Sequence, residues 1–328
     1  MKKGRIFSGM RPTGKLHLGH LIGALNNWVK LQDEYDCIYG VANWHALTDR
    51  LETKDFSDDM YDMVRDWLAA GIDPSKSIIF VQSDVVEHAE LYLLLGMLTP
   101  VPWLERCTTF KEKIKDMRIG KPDISYGLLG YPVLQTADII IYKANAVPVG
   151  EDQLPHVELS REIARRFNYY FGEIFPEPKA LLTETARLMG LDGKTKMSKS
   201  LGNFISLSDT PDEIKAKVQT MFTDPKRLRL NDPGHPDSCN VFSYYKIFGP
   251  ADIHKELHVS CKESKIGCTE CKKNLSKYIE GFVVPFQEKQ KKWNRDQIKV
   301  ILEEGAKKAR MIAQSTMEEV RKAMKIGI

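Results

Sequence analysis

The sequence lacks any long uninterrupted apolar run. No stretch in its 328 residues approaches the roughly 20 apolar residues that a membrane-spanning helix needs. The basic start, Met1–Arg5, runs into glycine and charge before a signal-peptide core could form. We therefore expect no membrane association and a cytoplasmic location. Internal repeats and low-complexity tracts are missing too, so solenoid and disordered classes are not indicated.

A strong excess of charge of one sign is also missing. The formal net charge is only +4, with 42% apolar and 28% charged residues, which is ordinary for a globular chain long enough for two domains. Basic residues nevertheless crowd the C-terminal end. Charge alone leaves open whether they form a solvated helix face or contact a nucleic-acid backbone. They are Lys289, Lys291, Lys292, Arg295, Lys299, Lys307, Lys308 and Arg310.

Cysteine is scarce, and its six residues are unevenly placed. Cys37 and Cys107 stand alone and are expected to be structural thiols. The other four are spaced C-x21-C-x6-C-x2-C, and because disulfides are rare in a reducing compartment, this quartet predicts a metal site. The spacing matches neither a two-CxxC zinc ribbon nor a common ferredoxin run, and incidental thiols are the alternative. The quartet is Cys239, Cys261, Cys268 and Cys271.

Short apolar segments alternate with amphipathic ones along the first 205 residues. Strands are predicted at residues 5–8, 37–43, 77–82 and 147–149, with helices at 54–70 and 88–97 between them. Such alternation favours an α/β fold with a doubly wound parallel sheet. Residues 204–207 are expected to close the sheet region. From residue 206 to 328 the pattern is helical, which predicts a second, all-helical domain.

A glycine turn follows the first predicted strand and precedes a helix. His17 and His20 flank Gly19 at the start of that helix, where free N–H groups and the helix dipole favour phosphate. Far downstream, the run from Lys196 to Ser200 offers two lysines and two hydroxyls suited to a triphosphate. Taken singly, each pattern could equally be a solvated helix start or a solvated loop.

Together these stretches resemble the class I aminoacyl-tRNA synthetases, and among them the tryptophanyl family. The resemblance extends over residues 7–14, 23–28, 150–153 and 196–200, and so covers nearly the whole chain. It implies a Rossmann-like catalytic domain over 1–205 and a helical anticodon-binding domain over 206–328.

The resemblance also implies which residues act on ATP. His17, His20, Lys196 and Lys199 would stabilise the phosphate charge, with Mg²⁺ on the phosphates. Lysines 111 and 113 would be auxiliaries. The implied ATP-binding residues are Arg11, Pro12, Thr13, Gly19, His20, Gly150, Glu151, Asp152, Lys196, Met197, Ser198, Lys199 and Ser200.

Asp138 lies in an apolar segment, and burying its carboxylate is costly without a partner. From the residues alone, an interhelical hydrogen bond is the simpler interpretation. By resemblance, Asp138 accepts the indole N–H of tryptophan, a group that can only donate. Gln135 departs from the family pattern, since many bacterial tryptophanyl enzymes carry Met there and tyrosyl enzymes carry Gln. The implied tryptophan-binding residues are Phe7, His45, Gln135, Asp138 and Gln153.

The implied function is ATP-dependent attachment of L-tryptophan to tRNA(Trp) by a homodimer. Some members of the family hold a [4Fe–4S] cluster with a similar cysteine quartet, and Zn²⁺ is the alternative. Three other classes of protein are alternatives. A tyrosine-specific synthetase would usually carry Tyr at position 7, and a nucleotidyltransferase without tRNA would lack the lysine–serine run. A non-enzymatic RNA-binding paralogue would have lost signature residues, and none is lost.

Overall fold

The structure is a computed structural model that describes residues 2–48, 50–108, 110–111, 114, 124–182, 188–199 and 201–327. Within these residues a parallel sheet of five strands is formed, in the order β3-β2-β1-β4-β5. The strands are β1 Arg5–Met10, β2 Asp36–Val41, β3 Ser77–Val81, β4 Ala146–Val149 and β5 Lys179–Leu182. This order confirms the doubly wound sheet, with its switch point between β1 and β4.

The helices follow the predicted alternation. They are α1 Leu18–His20, α2 Asn26–Glu34, α3 Asn43–Ala46, α4 Phe56–Ala70, α5 Glu87–Leu98, α6 Val101–Arg106, α7 Tyr126–Ile140, α8 Leu154–Phe171, α9 Pro211–Gln219, α10 Asn240–Phe248, α11 Ala251–Lys262, α12 Cys268–Gln290 and α13 Arg295–Met324. A π-helical turn, Leu21–Leu25, joins α1 to α2. No helix in the described ranges is both long and apolar enough to cross a bilayer.

The chain divides into two compact units. The first, unit 1, comprises residues 1–14, 28–184 and 294–328; the second, unit 2, comprises 15–27 and 185–293. These units divide the chain differently from the boundary at residue 205 predicted from the sequence, because the last helix packs with the sheet. The assignment of catalytic and anticodon-binding roles to either side of residue 205 stays a prediction.

In unit 1 both faces of the sheet are covered, as a buried parallel sheet requires. One face packs on α5, α7, α8 and α13 through a continuous apolar core that includes Ile38, Phe80 and Ile140. On the other side, Trp28 of α2 stacks on Tyr39 at 4.5 Å and meets Trp67 of α4 edge to face. The sequence therefore placed the core strands correctly.

Helix α13 lies against the edge strand β3. Gly305 allows this approach, because a Cβ there would stand 1.8 Å from the Ile79 carbonyl oxygen. Two arginines of α13 pair with α5: Arg310 Nε donates to Glu87 at 3.0 Å, and Arg321 pairs with Glu90. Part of the basic C-terminal stretch thus serves the fold rather than a nucleic acid.

Two sequence predictions about the sheet were incomplete. Strand β5 was missed, because its four residues are half-exposed or exposed at a sheet edge and follow Pro176 and Pro178. Residues 204–207 form no sheet strand. They hydrogen-bond instead to the turn before α1, inside unit 2.

Unit 2 is built on helix packing. Helix α12 packs against α9 and α10, burying Leu275, Ile279 and Val283. Its Gln287 amide donates to the carbonyl oxygens of Leu207 and Asp209, at 3.0 and 2.9 Å. This ties α12 to the segment that follows the lysine–serine run.

Candidate functional site

Asp138 is the centre of a buried polar cluster in unit 1. Its carboxylate accepts hydrogen bonds from His45 Nε2 at 2.9 Å and His88 Nδ1 at 2.6 Å. The Gln82 amide nitrogen bridges both carboxylate oxygens, at 2.8 and 2.9 Å. Burial raises the pKa of Asp138, but the hydrogen bonds from both histidines outweigh it and hold the pKa at about 2. The carboxylate is therefore ionised, and both of its oxygens accept hydrogen bonds from the protein.

His88 connects this carboxylate to Tyr142. His88 is fully buried, and its Nε2 lies 2.6 Å from Tyr142 Oη. Every atom is satisfied when Nδ1–H donates to Asp138 and the tyrosine O–H donates to Nε2. Burial, then the charges of Asp138 and Glu87, raise the pKa of Tyr142, so it stays a donor. Phe7 stacks on Tyr142 with ring centroids 5.6 Å apart.

The sequence pointed to Phe7, His45 and Asp138, and the structure links all three through this cluster. It missed Gln82, His88 and Tyr142. Their position in the sequence could have indicated two of them. Gln82 and His88 follow the carboxyl end of β3, and ligands bind at that edge of a parallel sheet. Gln135 is half-buried on α7, three residues before Asp138 and hence on the same helix face.

Gln153 is held by a second relay in unit 1. Its Oε1 lies 3.0 Å from His156 Nδ1, and His156 Nε2 lies 2.7 Å from Tyr131 Oη on α7. His156 and Tyr131 are buried, and neither was singled out from the sequence. The relay fixes the start of α8 against the helix that carries Asp138.

Two predicted ATP-binding segments meet at the switch point of the sheet. Arg11–Thr13 follows the carboxyl end of β1, and Gly150–Asp152 follows that of its neighbour β4. Ligands of open α/β sheets bind at such a point. Gly150 lets the Asp152 carboxylate fold back, since a Cβ there would lie 2.7 Å from Asp152 Oδ1.

In unit 2 the two histidines of the first motif stack on each other. Their ring centroids are 3.8 Å apart, and the His17 backbone N–H points to His20 Nδ1 at 3.3 Å. His17 Nδ1 is buried and has no hydrogen-bond partner among the described residues. Gly19 makes room for the His17 ring, because a Cβ would lie 3.0 Å from it.

Both imidazoles are neutral at physiological pH. Burial, followed by the charges of Lys199 and Lys196, lowers the pKa of His17 to about 4. Burial and the His17 ring lower the pKa of His20 well below its usual value. A neutral imidazole is a hydrogen-bond donor without charge, so positive charge in this motif pair comes from the lysines.

The lysine–serine run is shaped by Asn203 and Asp192. Asn203 Oδ1 accepts the Ser198 backbone N–H at 2.8 Å, and its amide donates to Asp192 and to the Lys196 carbonyl. Hydrogen bonds, first from Thr195, lower the pKa of Asp192. The sequence did not single out Asp192, whereas Asn203 adjoined the motif. Ser200 and Lys113 lie outside the described residues, and Lys111 is an exposed residue of unit 1.

Backbone pairing brings the two motifs together. Leu18 N–H donates to Ile205 C=O and Leu207 N–H donates to Leu16 C=O, each at 3.0 Å. A Cβ on Gly19 would lie 3.5 Å from Met197 Cβ. Residues almost 180 positions apart thereby lie side by side in unit 2, and their action on phosphate stays a prediction.

The four clustered cysteines also converge in unit 2. All four line one small cavity, together with Asp224, Arg227, Val241 and Ile266. Gly234 passes directly over Cys261, because a Cβ there would lie 2.4 Å from its Sγ. Among the described residues, however, no three candidate ligands are arranged to hold a metal ion. The structure alone therefore gives convergent thiols and no established metal centre.

The doubly wound sheet of unit 1 and the paired His-x-Gly-His and lysine–serine motifs of unit 2 are each typical of class I synthetases. Comparison with known proteins agrees. Residues 1–283 match the family described as tRNA synthetases class I (W and Y). The chain belongs to this family.

The individual proteins to which this chain is similar include tryptophan–tRNA ligases. The chain is 51% identical to a tryptophan–tRNA ligase of Thermotoga maritima over 333 residues, covering 98% of this chain and 99% of that one. It is 45% identical to one of Aquifex aeolicus, covering 98% and 100%. A solved tryptophanyl-tRNA synthetase of Campylobacter jejuni, complexed with ADP and tryptophan, superposes with a TM-score of 0.89 at 35% identity, covering 99% and 100%.

Proposed function

We propose that this chain activates L-tryptophan with ATP and attaches it to tRNA(Trp). The tryptophan carboxylate attacks the α-phosphate of ATP, pyrophosphate leaves, and the adenylate then passes the tryptophanyl group to the 3′ end of the tRNA. The observation that carries this is the joining of the His17 turn to the lysine–serine run within unit 2. Full-length similarity to tryptophan–tRNA ligases supports the choice of amino acid.

The phosphate chemistry divides between two kinds of group. His17 has a buried nitrogen without a hydrogen-bond partner among the described residues, and it is suited to hydrogen-bond a phosphate oxygen as a neutral donor. Lys196 and Lys199 supply charge, which matters most as pyrophosphate departs. The family implies Mg²⁺, which would neutralise phosphate charge when bound.

Tryptophan specificity is assigned to the Asp138 cluster. The carboxylate is ionised and rigid, as an acceptor for the indole N–H must be, but three donors already occupy it. Binding of indole therefore requires one donor to give way. His88 is also held by Tyr142, and the Gln82 side-chain oxygen also accepts the Trp44 backbone N–H at 3.1 Å.

The cysteine cavity is suited to a metal cluster. Burial raises the pKa of Cys239, Cys261 and Cys271, and the charges of the neighbouring thiolates act in the same direction. Together these effects raise the pKa of Cys271 to about 12. A bound metal would offset the thiolate charge. One zinc ion needs all four sulfurs about 2.3 Å from a single point. The resemblance to family members with a similar cysteine quartet is what favours a [4Fe–4S] cluster over Zn²⁺.

The cluster would order unit 2 rather than perform redox chemistry. Its surroundings are basic, with Lys262, Lys265, Lys272, Lys273 and Lys277 nearby in sequence. These lysines would meet RNA phosphates. Adenylate formation uses other residues and should survive loss of the cluster, while tRNA charging should suffer.

A homodimer in the cytoplasm is part of the proposal. Helix α5 is apolar on its outer side as well, leaving Leu93 and Met97 exposed beside Val101 and Tyr126. Exposed apolar side chains on and near one helix are suited to a protein interface. We assign these exposed side chains to an interface with a second copy of this chain. Sedimentation of the Met97→Glu variant tests this, and the variant should sediment as a monomer.

The decisive experiment is ATP–pyrophosphate exchange with each of the twenty amino acids. We expect tryptophan to support exchange far better than the rest. Best exchange with tyrosine would establish the alternative specificity, and exchange with none would reject activation altogether. Charging of tRNA(Trp) then tests the second half-reaction.

The metal proposal has its own test. Protein purified without oxygen should be brown and carry about four irons per chain. Colourless protein with one zinc would keep the site and reject iron. Absence of metal, together with unchanged charging by Cys268→Ser, would reject the site.

A further inference from the structure

The last helix of unit 1, α13, makes a contact beside the Asp138 cluster that none of the functions above uses. From this helix Arg310 reaches α5, where its Nε donates to Glu87 Oε1 at 3.0 Å. Helix α13 lies outside residues 1–283, the part of the chain that matches the synthetase family. The family motifs, which all come before residue 205, do not indicate this contact.

Glu87 is a buried carboxylate with few partners. It begins α5, and only 5% of its surface is exposed. Its Oε1 accepts from Arg310, whereas Oε2 is buried and has no hydrogen-bond partner among the described residues. A carboxylate taken out of water is costly unless a cation compensates it, and removal of that cation leaves the cost uncompensated. Arg310, whose side chain is half-exposed, is the cation hydrogen-bonded to it.

Glu87 directly adjoins the Asp138 cluster. It precedes His88, whose two ring nitrogens lie 2.6 Å from Asp138 Oδ1 and 2.6 Å from Tyr142 Oη. After burial, the charges of Asp138 and Glu87 both raise the pKa of Tyr142, so two carboxylates act on one hydroxyl. That hydroxyl has a single proton to donate, and His88 Nε2 is its acceptor. The orientation of the Tyr142 O–H is therefore the feature that the Glu87 charge can change.

A second contact of α13 lies beside the other end of the His88–Tyr142 hydrogen bond. Lys143 follows Tyr142, and its Nζ donates to both carboxylate oxygens of Glu319 on α13, at 2.7 and 2.8 Å. This pair is largely exposed, so its charges contribute little. Helix α13 thus contacts the sequence neighbours of both His88 and Tyr142, and the buried charge is the one at Glu87.

We propose that Arg310 is a positioning residue for the tryptophan site: it compensates the Glu87 charge, leaves the Tyr142 O–H to His88, and so keeps His88 directed at Asp138. Without Arg310, the Tyr142 O–H turns toward the Glu87 carboxylate. His88 Nε2 then loses its donor, and the ring can turn away from Asp138. The proposal rests on the proposed function in taking tryptophan as the ligand of Asp138.

The first test is exchange kinetics of variants at Arg310. Arg310→Gln should raise KM for tryptophan about tenfold, within the range of coupling through packed side chains, while kcat and KM for ATP stay unchanged. Arg310→Lys keeps the charge and should restore most of the affinity. Arg321→Gln is the matched control, because Arg321 joins the same two helices but is hydrogen-bonded to Glu90. A normal KM in Arg310→Gln, or the same rise in Arg321→Gln, would overturn the proposal.

Removal of the carboxylate charge separates this mechanism from the loss of a helix contact. Glu87→Gln keeps the shape of the side chain, and its amide oxygen can still accept from Arg310. The double variant Glu87→Gln/Arg310→Gln should return KM for tryptophan to within about twofold of wild type, because no uncompensated charge remains. A double variant as impaired as Arg310→Gln would show that the Glu87 charge is not the cause.

A measurement without ligands separates this proposal from the proposed function. The Nδ1 proton of His88, in a 2.6 Å hydrogen bond to a carboxylate, should give a proton NMR signal far downfield, identified by its loss in His88→Gln. Arg310→Gln should shift this signal in the absence of tryptophan and ATP, whereas Arg321→Gln should leave it in place.

The two failures are then distinct. An unshifted His88 signal in Arg310→Gln would overturn the positioning role even where tryptophan-dependent exchange is normal. A wild type without that exchange would reject the proposed function, while the NMR signal would still decide whether Arg310 positions His88.

Discussion

The Asp138 cluster and the His17 turn both bury polar side chains, but they satisfy them differently. The Asp138 carboxylate makes four contacts with three donors, and its neighbour His88 is bonded at both nitrogens. His17 Nδ1 is equally buried, yet it has no hydrogen-bond partner among the described residues, and two lysine charges act on its ring.

This difference separates two tasks. A polar group whose partners lie inside the chain fixes geometry, because moving it breaks several hydrogen bonds at once. A buried polar group without a partner is unfavourable until a ligand arrives, so it marks where a ligand binds. The first cluster therefore fixes the position of its side chains, whereas the second is suited to a ligand; that this ligand is a phosphate stays a prediction.

The largest effect is expected at Asp138, the centre of the cluster whose polar groups are hydrogen-bonded within the chain. Asp138→Ala should reduce tryptophan activation roughly 10⁴-fold, since recognition through a buried hydrogen bond discriminates to that degree. ATP binding should survive. The measurement is exchange kinetics beside ATP affinity, with Asp138→Asn, which keeps one acceptor oxygen, as the intermediate control. Normal activation by the alanine variant would remove Asp138 from substrate recognition.

Removing the positive charges of the lysine–serine run beside the His17 turn should have the next largest effect. Lys196→Ala and Lys199→Ala should each lower the rate of adenylate formation about 10²–10³-fold, while tryptophan affinity changes little, because the charges act mainly in the transition state. Lys194→Ala, an exposed lysine in the same loop, is the control. Near wild-type exchange with reduced tryptophan affinity would contradict the assignment.

The pH dependence of stability should distinguish the two regions. Unfolded histidine takes up a proton below about pH 6.5, whereas folded His17 resists until about pH 4. The unfolding free energy should therefore fall as pH drops through this window, by about 2 kcal/mol from His17 at pH 5. Asp138, whose pKa is lowered to about 2, contributes stability that is lost only below about pH 4.

Denaturant titrations of His17→Gln from pH 7 to pH 4 provide the check. The variant should show a flatter slope than wild type across the window. Parallel slopes would mean that His17 is not buried as a neutral ring.

The smallest effect is expected at Tyr142, which contacts the Asp138 cluster through His88. Tyr142→Phe removes the donor to His88 Nε2, and should lower the unfolding free energy by about 1 kcal/mol. It should also raise KM for tryptophan with little change in kcat. Tyr244→Phe, which loses a hydrogen bond to Met189 in unit 2, should destabilise similarly without changing KM. Equal kinetic effects of both variants would make Tyr142 merely structural.

The sequence by itself determined the local elements and the motifs. Alternating apolar segments established the parallel sheet, because strand and helix patterns depend on neighbouring residues. The cost of burying a charge showed that Asp138 needs a partner. The resemblance of the motifs placed the chain among class I synthetases, which the comparisons confirmed. The residue roles within the motifs stay predictions.

Only the tertiary structure decided which partners those residues have. Asp138 meets His88 from 50 positions away, Gln82 from 56 and His45 from 93, and no local pattern encodes such pairings. The same holds for the basic C-terminal stretch, where Arg310 finds Glu87 across 223 residues. Hydrogen bonds and ion pairs act over a few ångströms in space, so their partners are set by how helices and strands pack, which the order of residues determines only through the whole fold.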